Sequence, residues 1–97
     1  MGSPYAILYA RAFDQDLDDV PVYDAVIIRT SVALLSHQAE TITRNRRPLA
    51  SPVSWCPEAG WQLRVGAYRV LYSVESGAVQ VLRLTFKGRK TTEEMGR

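Results

Sequence analysis

The stretch Trp61-Gln-Leu-Arg-Val-Gly-Ala-Tyr-Arg-Val-Leu-Tyr-Ser-Val74, followed by Val79-Gln-Val-Leu-Arg-Leu-Thr-Phe86, decides the fold. Three strand-like runs stand in series, joined by Gly66-Ala67 and by Glu75-Ser-Gly77. Successive side chains of a strand point to opposite faces. The first run therefore places Trp61, Leu63 and Val65 on one face and Gln62 and Arg64 on the other. The second sends Tyr68, Val70, Tyr72 and Val74 inward, with Arg69 and Ser73 outward. The third is expected to bury Leu82, Leu84 and Phe86 and to leave Arg83, Thr85 and Lys87 opposite. This alternation predicts an antiparallel meander with one core face and one cationic face. A cationic sheet face suits a polyanion.

Upstream of the meander, Tyr5-Ala-Ile-Leu-Tyr-Ala10 reads as a short first strand, and Asp14 to Asp19 as a brief helix stopped by Pro21. Ala25, Ile28, Val32, Leu35, Ala39 and Ile42 then recur at alternating steps of three and four, which predicts a longer helix from about Val22 to Ile42. The β-branched run Val26-Ile-Ile-Arg-Thr30 locally favours strand, but the length of the stripe decides for helix. Residues 43–60 contain Pro48, Pro52 and Pro57 and read as an irregular connection. So long a loop in a small domain points to a functional role. Gly66-Ala67 suits a two-residue hairpin turn with glycine first. The expected fold class is α+β: a short N-terminal strand, a short then a long helix, and a C-terminal antiparallel β-meander with the helices on one face.

A chain of 97 residues makes one domain, spanning 1–97, and its 46% hydrophobic and 23% charged content is ordinary for a folded soluble protein. Cys56 is the single cysteine, which excludes an internal disulfide. No stretch reads as a signal peptide or membrane span, so a cytoplasmic location and no membrane partner are expected. Met1-Gly2 does not open a myristoylation motif, because position 6 is Ala. One Cys and one His, His37, cannot supply the usual ligand count of a protein metal site; no metal or cofactor is expected. The net charge of +2 hides a strong polarity: −4 over residues 1–42, +2 over 43–60 and +4 over 61–97. The C-terminal half is the half that would meet an anion, or its charges simply solvate a half-buried sheet; charge alone does not choose.

The pattern Trp61-x-Leu-Arg-Val-Gly-x-Tyr-Arg-Val-Leu-Tyr-x-Val74, a short turn, then Val79-x-Val-Leu-Arg-Leu84 and Lys87-Gly-Arg89, resembles the RelE/ParE superfamily of bacterial toxins. Asn45-Arg-Arg-Pro-Leu49 is similar to the family's approach to its sheet. The resemblance implies a growth-inhibiting toxin of a type II toxin–antitoxin system, held in check by a cognate antitoxin protein. One branch of the family cuts mRNA in the ribosomal A site without a metal. The ParE branch instead poisons DNA gyrase. A degenerate member that only binds its antitoxin is a third possibility.

Metal-free RNA cleavage needs a base for the 2′-hydroxyl, cations for the phosphorane and an acid for the departing oxygen. Arginine fits the middle task, since its planar fork grips phosphate and stays charged. Arg64, Arg69 and Arg83 fall on one side of the expected meander. By resemblance, Arg69 matches a family residue that contacts the scissile phosphate. The candidate catalytic residues are Arg69, Arg64, Lys87 and Arg89, and the candidate RNA-binding residues are Arg46, Arg47, Arg83 and Lys90. Where the RelE branch has two lysines before the glycine turn, this chain has Gln62 and Arg64, and no tyrosine follows Tyr72. Glu58 is a candidate substitute base, although a solvated loop glutamate is far commoner. His37 falls on the polar side of its helix, and Cys56 has no identifiable base partner. Trp61, Tyr68 and Tyr72 read as core by their period; Trp55, in the loop, is open to base stacking.

Overall fold

Gly66 and Ala67 close the first hairpin as the sequence demands, with Gly66 in the left-handed region (φ 59°) where a side chain would be strained. The computed structural model describes residues 4–86. The turn joins β3 (Trp61–Val65) to β4 (Tyr68–Glu75), and Val65 pairs with Tyr68 across it. Ser76 and Gly77, both at positive φ (51° and 77°), make the second turn into β5 (Ala78–Phe86). Two positive φ values are the signature of a type I′ turn, whose twist matches that of the strands it joins. The N-terminal strand β1 (Ala6–Tyr9) lies parallel to β5, and a short β2 (Arg46–Pro48) lies antiparallel to β3. The five-stranded sheet has the order β1-β5-β4-β3-β2.

Among the described residues the helices are α1 (Arg11–Asp18), α2 (Val22–Ala33) and α3 (Leu35–Gln38). Phe13 and Leu17 of α1, Ile28 and Val32 of α2, and Leu35 bury against Leu63, Val65, Val70, Tyr72, Val79, Val81 and Leu84. The expected α+β order is thus present, but the long helix is bent. The Leu34 N–H turns to the Ser31 carbonyl, three residues back rather than four, and regular helix ends at Gln38. Ala39 is still fully buried, whereas Ile42, the expected end of the stripe, is 68% exposed. Helix α2 is apolar on both sides: Val22, Tyr23, Val26 and Ile27 face outward.

Two further differences concern the sheet. Part of the connection expected to be irregular pairs as β2, and residues 49–59 fold onto the second face of the sheet. There Val53, Cys56 and Ala59 bury with Leu71, and Leu49, Trp55 and Leu82 pack around them. Strand β5 carries a bulge: Tyr72 pairs with Val81 and Leu71 with Arg83, so Leu82 is the extra residue. Ahead of the bulge Val79 and Val81 face the main core; behind it Leu84 does. Leu82 therefore joins the second cluster rather than the main core, and Phe86, expected to be buried, is 60% exposed at the strand end.

Tyr72, fully buried, donates its hydroxyl to the Ala39 carbonyl at 2.6 Å and stacks with Trp61. Tyr72→Phe leaves that carbonyl without its donor and should cost about 1–2 kcal/mol in denaturant unfolding. Burial pushes the Tyr72 hydroxyl above its usual pKa of 10.0. An unfolded tyrosine ionises first, so the native state keeps its full stability below that value and loses it as pH rises further. Tyr72→Phe should remove part of the alkaline loss, measured between pH 8 and 11.

Candidate nucleic-acid interface

The hairpin register builds the cationic face. Arg64 of β3 stands directly opposite Arg69 of β4, one step from the turn. In a two-residue hairpin this is a non-hydrogen-bonded pair, with Cα atoms about 4.5 Å apart and side chains at their closest. Thr85 of β5 continues the same row, and the next row runs Arg47, Gln62, Leu71, Arg83. Two arginines facing each other across a ladder repel.

Each cation is held differently. The Arg69 guanidinium folds over the turn, its Nη1 donating to the carbonyls of Tyr68 (3.0 Å) and Gly66 (3.3 Å), and the residue is only 8% exposed. Burial, then the charges of Arg64 and Arg47, push its pKa below the ordinary arginine value. Arg64 is exposed, and its Nε donates to the Asn45 side-chain oxygen at 3.2 Å while its backbone N–H meets the Asn45 carbonyl at 2.6 Å. Arg47 is exposed on β2. Asn45 was not among the sequence candidates; it acts from 19 positions away, with no local signal.

Arg83 shares the face but is already engaged. Its Nε and Nη2 meet both oxygens of Asp16 on α1, at 2.8 and 3.1 Å, and its Cζ lies 5.5 Å from the centre of the Trp55 ring. Asp16 also accepts the backbone N–H of Leu84 at 2.9 Å. That N–H lies on the edge of β5 beyond the end of its pairing with β1 at Val81. The acid therefore closes an edge that the short first strand leaves open.

Arg46, a candidate RNA contact in the sequence, lies apart from the cationic row. It pairs with Leu63, a core residue, and so points to the helix side of the sheet, opposite Arg47. Only 6% exposed, it donates to the Thr41 carbonyl (3.1 Å) and to the Gln38 side chain (3.0 Å). Adjacent strand residues cannot both reach one face. Arg46→Met, which keeps the buried stem, should leave any anion binding unchanged, measured beside Arg47→Met, which should weaken it.

Lys87, Arg89 and Lys90 lie outside the described residues. Glu58 and His37 are exposed. Cys56 is buried, and burial together with the Glu58 charge pushes its thiol pKa up, the wrong direction for a nucleophile. Tyr68 faces the helices and donates to Asp24 at 2.9 Å. Among the described residues no group of three or more His, Cys, Asp or Glu could hold a metal, and no helix is long and apolar enough to cross a membrane.

Fold and face together define a small α+β domain that backs an arginine-rich sheet surface with helices. Searched by sequence, the chain matches no protein-family model and no curated protein. Its structure is similar to that of a chain in the RelE–RelB complex from Pyrococcus horikoshii OT3, with 19% identity and a TM-score of 0.70, covering 89% of this chain and 98% of that one. It is similar to one in the mycobacterial toxin–antitoxin complex RelBE2 from Mycobacterium tuberculosis, with 22% identity and a TM-score of 0.65, covering 86% and 98%. The RelB–RelE antitoxin–toxin complex from Methanococcus jannaschii gives 17% identity and a TM-score of 0.63, covering 84% and 91%. The chain has the RelE fold.

Proposed function

We propose that this chain is the toxin of a type II toxin–antitoxin pair and that it cuts mRNA on the ribosome, in the cytoplasm. The observation that carries the reading is the Arg64–Arg69 pair. Two arginines are set face to face, with Arg47 near enough to depress the Arg69 pKa further. That arrangement costs stability in the free protein and is relieved when an anion enters, which is how a preorganised oxyanion site behaves. Negative charge on the reacting phosphate is greatest in the phosphorane-like transition state, so the pair holds the transition state more tightly than the ground state. We assign the leaving-group proton to the tract Lys87, Arg89, Lys90, which comes directly after β5.

The antitoxin partner is inferred from the RelB–RelE complexes of similar fold, and the outward apolar side chains of α2 offer it a surface. One observation favours a second reading, a non-nuclease inhibitor of DNA gyrase: Gln62, which cannot act as a general base, occupies the row beside Arg47. Expression without antitoxin, with primer-extension mapping of a reporter message, separates the two. Codon-phased cuts support the nuclease. Growth arrest with intact messages overturns it in favour of gyrase.

A further inference from the structure

We infer that Arg83 is a nucleobase-stacking plate, held flat between Asp16 and Trp55 beside the Arg64–Arg69 pair. The inference rests on the proposal that this face binds RNA. A guanidinium grips phosphate through a pair of N–H groups along one edge. Arg83 has already given its Nε–Nη2 edge to the two Asp16 oxygens, which also neutralise its charge. The hydrogen bond to Asp16 raises its pKa, so the pair persists as an ion pair. The guanidinium carbon Cζ lies over the Trp55 ring, 5.5 Å from its centre, and Trp55 is itself packed into the second apolar cluster with Leu71 and Leu82.

The Nε–Nη2 edge and the side toward Trp55 are thus engaged, while the side chain keeps 36% exposure. Splayed bases in single-stranded RNA stack on guanidinium planes as well as on aromatic rings. Arg83 lies diagonally across the ladder from Arg69, on the same face. The diagonal step is about 7 Å. A strand whose phosphate sits on Arg64 and Arg69 has a base within reach of the plate. The division of labour is therefore phosphate to the Arg64–Arg69 pair, which has no acid partner among the described residues, and base to the arginine held by Asp16.

The test is titration of a fluorescent single-stranded RNA 12-mer into the full chain over a range of salt, for wild type, Arg83→Ala and Arg83→Lys. Thermal melts confirm that each variant is folded. A plate predicts that both variants lose affinity about 5- to 100-fold, the worth of one stacked base, with the salt slope unchanged. Lysine does not rescue, because it brings charge without a plane. A phosphate contact predicts the reverse: the slope falls by about 0.7 in Arg83→Ala and lysine restores it, which would overturn the inference. An abasic scan of the RNA on the wild-type chain tests the same point without a variant. One position must cost as much as the arginine does, and a flat scan rejects the plate. Absence of salt-dependent binding by the wild type rejects RNA binding at this face, and the plate with it.

Discussion

Arg69→Ala is expected to abolish growth arrest on expression without antitoxin and to lower RNA cleavage about 10²–10³-fold, the usual loss on removing one preorganised donor from a developing oxyanion. The same variant should remain folded. Among the described residues its side chain bonds the two carbonyls of its own turn, and its removal ends the repulsion with Arg64 across the ladder. A melting temperature at or slightly above that of the wild type, beside lost activity, separates a functional arginine from a structural one. Full toxicity in a folded Arg69→Ala protein would sink the site assignment. Messages that stay intact in the wild type as well would move the function to gyrase.

Asp16→Ala should produce the largest loss of stability of any single polar substitution on the cationic face. It removes both acceptors of Arg83 and the acceptor of the Leu84 N–H in one step. The pair is only partly buried, with side-chain exposures of 36% for Arg83 and 20% for Asp16, so screening reduces what a fully buried pair would cost. About 2–3 kcal/mol is expected, which in a domain of this size lowers the melting temperature by roughly 10 °C or more. Denaturant unfolding should show a lower midpoint at an unchanged m-value. Asp16→Asn keeps an acceptor for Leu84 and should lose about half as much. A loss below about 0.5 kcal/mol for alanine would mean that the edge of β5 finds water as good an acceptor.

Much of the geometry behind the Arg69 prediction is legible in the sequence. Alternation plus a glycine turn fixes which residues of β3 and β4 share a face, and a two-residue loop fixes that Arg64 opposes Arg69. The second face is harder to read. Arg46 and Arg47 are neighbours, so only one can join the cationic row; which one depends on the register of a three-residue strand that prolines obscure. The β5 bulge is invisible to a period-two reading, and it is why Leu82 sits elsewhere than expected; Phe86 keeps the expected face and is exposed because it ends the strand. The helix bend at Leu34 has no glycine or proline to announce it. Asp16 meets Arg83 across 67 positions of sequence, a pairing that no local pattern encodes.

The bulge gives β5 one residue of slack. With Leu82 removed, Val81 and Arg83 would become consecutive and would still alternate across the sheet as their partners Tyr72 and Leu71 do. A deletion at this place shortens the strand without inverting the residues after it, sacrificing only one apolar side chain of the smaller cluster. The same slack can absorb a lost residue elsewhere in β5, the ladder straightening as the bulge is taken up. In lineage terms, a single-codon deletion in this strand can spare the placement of Arg83 and Thr85, whereas in β3 or β4, which have no extra residue between them, it turns an arginine into the core.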